Sequence, residues 1–227
     1  PRSTLFPYTT LFRSDFHFSL DADITVAVQP VSRNDAPRFG ILKRSDNFKI
    51  TDFFEKPKDE ETLKYAESRK NAEKPYLGSM GIYLFKTEVL IDLLDQIKAD
   101  DFGGEIIPAA IKTHNVYGYD FEGFWEDIGT IRTFYNTNLA LTKPNPPFNF
   151  YDPSKPIYSH PRFLPGSIVT NSVMEDTLLS EGCCITNAEI KHSIIGLRSQ
   201  IKSGVKIKDS ILMGNDYFER DWKGEGK

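Results

Sequence analysis

Three short segments group residue types that could do chemistry. Phe54-Glu55-Lys56-Pro57 closes a β-rich run. A lysine at a strand end is a compact cation suited to a phosphate ester, and the carboxylate beside it can accept hydrogen bonds from sugar hydroxyls; a solvated turn would carry the same residues. Gly78-Ser79-Met80-Gly81 opens an apolar run. Glycines flanking a hydroxyl let a ligand approach the backbone closely, or simply let strands pack closely. Trp125-Glu126-Asp127-Ile128-Gly129-Thr130 falls between a predicted strand and a predicted helix. There Asp127 can offer oxygen to Mg²⁺, an ion usually held by one or two carboxylates plus substrate phosphates. Thr130 or Asp127 can equally serve as the helix cap.

The elements that must position these residues are legible from periodicity. Residues 22–30, 39–45 and 49–57 alternate and are rich in β-branched or aromatic side chains, predicting three strands, with a helix over 60–70. GSMGIYLF at 78–85 has the near-continuous apolar character of a buried strand. Thr87 is a candidate cap for the following helix, in which apolar residues 89, 90, 93, 94 and 97 recur at helical spacing and predict one buried face. A short helix over 104–113, a strand near 115–121 and a helix over 130–142 complete an α/β unit spanning 15–142, with a mixed or parallel sheet covered on both faces.

Seven prolines between Lys143 and Gly166 predict a linker over 143–166. Beyond it, Asn171-Ser172-Val173, His192-Ser193-Ile194 and Asp209-Ser210-Ile211 recur at intervals of 17 to 21 residues. Apolar residues stand at steps of six (173, 179, 185, then 195, 201, 207, 213). That spacing predicts a left-handed parallel β-helix over 167–218, with one apolar residue per side of a triangular coil pointing inward. Three coils would leave an open end, predicting a β-helix continued in a longer parent, and 219–227 is expected to be a disordered tail.

Composition narrows the partners. The chain has 227 residues and a formal net charge of -4, without a block of like basic charges, which excludes the electrostatic footprint of a nucleic-acid binder. The two cysteines, Cys183 and Cys184, are adjacent, which leaves no disulfide framework and fits a reducing cytoplasm. No run of eighteen apolar residues or secretory signal is present, so no membrane role is expected. Residues 1–14 are set aside: Thr-Leu-Phe repeats at 4–6 and 10–12 in a stretch without carboxylates, as in a translated sequencing adapter, the alternative being a natural β-rich segment. An adapter abutting Asp15 implies that upstream coding sequence has been displaced.

Taken in order, Arg38-Phe-Gly-Ile-Leu-Lys43, Phe54-Glu-Lys-Pro57, Gly78-Ser-Met-Gly-Ile-Tyr83 and Trp125-Glu-Asp-Ile-Gly-Thr130 resemble the sugar-nucleotide pyrophosphorylases. The first, third and fourth, together with Pro156-Ile-Tyr-Ser-His-Pro-Arg-Phe-Leu-Pro165, Ile195-Gly-Leu-Arg-Ser199 and Asp209-Ser-Ile-Leu-Met-Gly-Asn-Asp-Tyr217, resemble the glucose-1-phosphate adenylyltransferase (ADP-glucose pyrophosphorylase) family in particular. The resemblance covers about residues 15–218 and implies a partial Rossmann-like nucleotidyltransferase domain followed by the start of a left-handed parallel β-helix. It implies conversion of ATP and glucose 1-phosphate to ADP-glucose and pyrophosphate, with Mg²⁺, in a cytoplasmic protein (plastidic in a plant) that forms a homo- or heterotetramer. Carried over residue by residue, Lys56 grips the sugar phosphate, Gly40, Glu55 and Ser79 line the glucose pocket, Asp127 holds Mg²⁺, and His160 and Arg162 match a linker motif associated with an anionic effector. Phosphoryl chemistry of this kind rests on positioning and charge neutralisation, so an activated Ser, Cys or His is not expected.

The resemblance has two gaps. The family's G-G-G-x-G-T-R-L nucleotide loop is absent from the sequence, and so is its second metal-binding aspartate. The chain is therefore expected to be inactive by itself although its parent is active. A non-catalytic regulatory subunit of the same enzyme, or another sugar-1-phosphate nucleotidyltransferase such as a mannose 1-phosphate guanylyltransferase, would share much of this pattern. A hexapeptide-repeat acyltransferase fits poorly, since it needs a histidine between neighbouring trimer coils and far more coils than three.

Overall fold

The computed structural model describes residues 14–69, 72–148, 153 and 160–218; expectations for residues 1–13, most of 149–159 and 219–227 lie outside the described residues. The chain divides into two compact units between Gly123 and Phe124.

The predicted strands of the first unit form at β1 (Ile24–Val31), β2 (Gly40–Arg44), β3 (Ile50–Glu55), β4 (Tyr76–Phe85) and β5 (Val116–Asp120). They pair in the order β3-β2-β4-β1-β5, with β1 parallel to β5 and the other pairs antiparallel, so the sheet is mixed. β1 reads as a continuous β-branched run because it is buried on both faces: Ile24, Thr25, Val26, Ala27 and Val28 are all covered. On one face Ile24, Val26, Val28, Leu42 and Leu77 pack against Leu93, Ile106 and Ile107. On the other, Val31, Ile41 and Tyr76 pack against Leu63 and Ala66 of α2 (Glu60–Ala66). The sheet coils so far that Lys49, ahead of β3, bridges to Tyr117, and the Gly118 N–H donates to the Phe48 carbonyl at 2.9 Å.

The helices depart from expectation in instructive ways. α1 (Ser14–Ser19) precedes β1, and α2 stops at Ala66, short of the expected 70. α3 (Thr87–Gln96) begins two residues earlier than its apolar pattern, and Thr87 is not its cap: Lys86 takes that position without a side-chain hydrogen bond. The expected apolar face is only partly used. Leu93 is its one buried residue, Val89 and Ile97 pack at the core margin, and Leu94 remains 45% exposed. A helix covering a curled sheet contacts it along a narrow stripe, and periodicity reports amphipathicity rather than contact width. Over 104–113 a single π turn (Phe102–Ile106) runs into the short α4 (Ile107–Ala110).

The second unit opens with α5 (Ile131–Ala140), whose start is fixed by a capping box in which the Thr130 hydroxyl accepts from the Thr133 N–H at 3.1 Å and Thr133 answers the Thr130 N–H. The sequence reading grouped this helix with the α/β unit; in the structure it is grouped with the β-helix that follows. Among the described residues nine short strands stack in three parallel ladders: β6 (Ile168–Thr170), β9 (Cys184–Thr186) and β12 (Gln200–Ile201); β7 (Val173–Glu175), β10 (Glu189–Lys191) and β13 (Lys206–Lys208); β8 (Leu178–Leu179), β11 (Ile194–Ile195) and β14 (Ile211–Leu212).

The three-sided β-helix is as expected, but its inward residues do not keep steps of six. Ladder register aligns Val169, Ile185 and Ile201 on one side, Met174, Ile190 and Ile207 on the second, and Leu179, Ile195 and Leu212 on the third. Val173 and Met213, placed inside by the six-residue count, are 60% and 79% exposed. Each side is five or six residues long because the corners turn through single left-handed residues. These are Asn171, Asp176, Asn187, His192, Arg198 and Asp209, with Gly182 and Gly204 at equivalent turns. Glycine and short polar residues adopt that conformation most readily. The serine after a corner points inward and bridges coils: Ser172 Oγ accepts from the Ala188 N–H and Ser193 Oγ from the Ser210 N–H.

Candidate functional site

At one end of the sheet the strand register assembles the first candidate residues. Gly40 stands opposite Glu55, Ile41 opposite Gly78, and Val28 opposite Ser79, so Glu55, Gly40 and Ser79 form one row across β3, β2 and β4. Residues in register across neighbouring strands share a face. The row would be too crowded with a side chain at Gly40: a Cβ there would lie 2.4 Å from the Phe53 ring and 3.0 Å from Glu55 Oε2. Gly40 thus makes room for Phe53 and the Glu55 carboxylate rather than lining an open pocket.

Lys56 follows directly. Its backbone is left-handed, with φ +47, and its N–H donates to the Phe39 carbonyl at 3.1 Å. For a residue with a Cβ this conformation costs about 1–2 kcal/mol. Its ammonium lies 2.9 Å from Glu55 Oε1 and the side chain is 58% exposed. The left-handed kink therefore turns a cation at the strand end back onto its neighbouring carboxylate.

β4 contributes two hydroxyls through a bulge. Val28 pairs with Ser79 and Val26 with Tyr83, so four residues of β4 run beside two of β1. Gly81 absorbs the extra length at φ +69, with open space where a Cβ would stand, and its N–H donates to Ser79 Oγ at 3.2 Å. Gly78, by contrast, serves close packing, since a Cβ there would meet Val31 at 2.9 Å. The bulge brings Tyr83 within hydrogen-bonding reach of Ser79, and burial, together with the charges of Glu55 and Asp101, raises the phenol above its ordinary range.

Sequence reasoning missed the residues that complete this group. Asp101 caps the π turn, accepting from the Gly103 N–H at 2.7 Å and the Gly104 N–H at 3.1 Å. The Gly104 and Gly103 amides and the positive charge of Lys56 hold its carboxyl below the usual carboxylate range. Phe102 anchors the turn, stacking on Tyr83 with centroids 5.9 Å apart and meeting Phe85 edge-on at 5.8 Å. Gly103 leaves room for the same carboxylate, because a Cβ there would come within 2.7 Å of Glu55 Oε2 and turn that side chain aside. A signal did exist in the sequence, an aspartate two residues ahead of paired glycines whose amides it can accept, but nothing local tied it to Lys56.

The remaining candidates belong to the second unit. Asp127 is half-buried in the segment ahead of α5, with its carboxylate folded back over Gly129, where a Cβ would lie 3.2 Å from Oδ2. Of the two cap candidates, Thr130 takes the role, which leaves Asp127 outside the helix. His160 and Arg162 are exposed. Among the described residues no three His, Cys, Asp or Glu side chains cluster as a metal site, so at most two such side chains could meet at Asp127. That suits an ion completed by substrate phosphates and water, and not a closed protein cage.

Comparison with protein families decides the class. The nucleotidyl transferase family matches residues 7–144. The chain belongs to this family. The GLGC left-handed parallel beta-helix domain matches residues 162–226. A sugar-1-phosphate nucleotidyltransferase of this domain composition is therefore the coarse identity of the protein, and among the described residues no helix is long and apolar enough to cross a membrane.

Proposed function

We propose that this nucleotidyltransferase chain is the sugar-phosphate-binding part of a glucose-1-phosphate adenylyltransferase. A phosphate oxygen of glucose 1-phosphate attacks the α-phosphorus of ATP, the bond from that phosphorus to the β-phosphate oxygen breaks, and pyrophosphate leaves with the electron pair, giving ADP-glucose for glycogen or starch synthesis. The observation that supports the reading is the grouping of one exposed cation, Lys56, with the acceptors Glu55 and Asp101 and the hydroxyls of Ser79 and Tyr83. A hexose phosphate needs that combination: a point charge for the ester and several directed acceptors and donors for the hydroxyls.

In this scheme Lys56 binds the phosphate, Glu55, Ser79 and Asp101 bind the sugar, and Gly40 and Gly103 keep the space that Glu55 occupies. Asp127 would supply one carboxylate to Mg²⁺, which when bound neutralises phosphate charge. His160 and Arg162 are the proposed contacts of an anionic effector. No G-G-G-x-G-T-R-L loop stands in this sequence to cradle the ATP phosphates, so the chain by itself is expected to bind sugar phosphate without turning it over.

Kinetics of an active enzyme that contains this sequence together with a nucleotide-binding loop test the assignment. Lys56→Ala should raise the KM for glucose 1-phosphate about ten- to a hundredfold, the loss of a charge-assisted contact, with little change in the KM for ATP. Equal losses for both substrates would remove Lys56 from the sugar-phosphate site, and preference for a nucleotide other than ATP would overturn the adenylyl assignment.

A further inference from the structure

α5, the element that follows the Asp127 segment, is held by little apolar packing. Leu139 is its one buried residue, Ile131 in its first turn is 81% exposed, and an apolar groove of about 470 Å³ lined by Ile128, Ile131, Phe134, Ile211 and Met213 opens beside that turn. The tie between the helix and the β-helix is polar. The Tyr135 hydroxyl donates to the His192 carbonyl at 2.6 Å and lies 3.1 Å from His192 Nδ1, the two rings meeting edge to face at 5.6 Å. Nδ1 in turn lies 2.7 Å from Asp209 Oδ1. With the Nδ1 proton directed at Asp209 and the phenol proton at the carbonyl, every donor has an acceptor. Burial and the Asp209 charge raise the Tyr135 phenol, which keeps it a donor.

The receiving surface is built to hold still. His192 occupies a left-handed corner at φ +48, its N–H donates to the Glu175 carbonyl at 2.9 Å, and the following Ser193 is fully buried with its hydroxyl bonded across to the Ser210 N–H. Lys208, 4.0 Å from Asp209, and Asp176, the corner residue of the preceding coil paired with Lys143, are the other charged groups around it. The helix, through the Thr130–Thr133 box, sets where residues 125–129 leave the helix axis.

We propose that Tyr135, held by His192, which is itself tied to Asp209, is a positioning residue through which the β-helix fixes the segment bearing Asp127. The proposal rests on the magnesium reading of Asp127 for its consequence, but not for its test. Amide hydrogen exchange on the full chain should show Thr133 and Phe134, whose N–H groups are held by Thr130, exchanging about fivefold faster in Tyr135→Phe, as expected for loss of one net hydrogen bond, while Ile185, Ile190 and Ile195 exchange as in the parent. Asp209→Asn, a milder change at the far end of the chain of bonds, should give an intermediate acceleration at the same two amides. Unchanged exchange at Thr133 and Phe134 in both variants, or an equal acceleration throughout the β-helix, would overturn the proposal. Mn²⁺ added to the same samples should broaden the amide signals of residues 127–129 and do so less in Tyr135→Phe; no broadening in the parent protein would sink the reading of Asp127 alone, leaving the exchange result to decide the role of Tyr135.

Discussion

The Asp101 carboxylate shows how much of the candidate site depends on single backbone groups. Two glycine amides and a neighbouring ammonium favour its charged form, so its contribution to the fold of the π turn is complete above the ordinary aspartate range of about pH 4 and is lost as pH falls through its lowered value. Acid titration followed through the Gly103 and Gly104 amide signals should show the turn loosening below about pH 4. Asp101→Asn, which keeps an acceptor but cannot titrate, should flatten that dependence; persistence of the same transition in the variant would assign it to another carboxylate. The same turn explains why Gly103 and Gly40 recur around Glu55: each gives up a Cβ so that one carboxylate can reach the lysine.

Elements here are decided as often by their ends as by their periodicity. The corners of the β-helix place a left-handed residue at every turn, and side chains there are ones that tolerate it. Asn187 is the sharpest case, with φ +47, a carbonyl accepting from the Gly204 N–H, and an Oδ1 accepting from Asn171 at 2.6 Å. Replacing it by valine should destabilise the second unit by about 1–2 kcal/mol in denaturant unfolding, because a β-branched residue pays the full left-handed penalty. Asn187→Gly should cost far less, and equal losses for the two variants would mean that the side-chain bond, not the backbone, matters. α3 makes the complementary point: its apolar pattern is real, but only the stripe near Leu93 meets the sheet.

At the scale of the whole molecule, each unit has a buried hydrophobic cluster of its own among the described residues. Ile24, Val28 and Leu42 belong to the first unit, and Ile185, Ile190, Ile195 and Ile201 to the second. Ile190→Ala, at a fully buried position in the middle coil, should cost about 2–5 kcal/mol, the usual range for truncating a buried aliphatic side chain. Hydrogen exchange should show the loss of protection confined to residues beyond Gly123; matching loss in β1 and β4 would show that the units unfold together.

The sequence by itself determined the element types, the mixed α/β unit followed by a three-sided parallel helix, and the lysine–carboxylate pair of Glu55 and Lys56, because alternation, apolar runs and turn residues act over a few neighbours. It found Leu179, Ile185, Ile195, Ile201 and Ile207 as inward residues of the β-helix but misplaced Val173 and Met213, since the count per side depends on which residues turn the corners. Only the tertiary structure decided that Ser79 and Tyr83 share a face across a bulge, that Asp101 completes the group around Lys56, and that Tyr135 reaches His192. The last two facts join residues far apart in the chain and the first depends on how β4 pairs with β1, and contacts of that kind are fixed by register and packing, on which a local pattern carries no information.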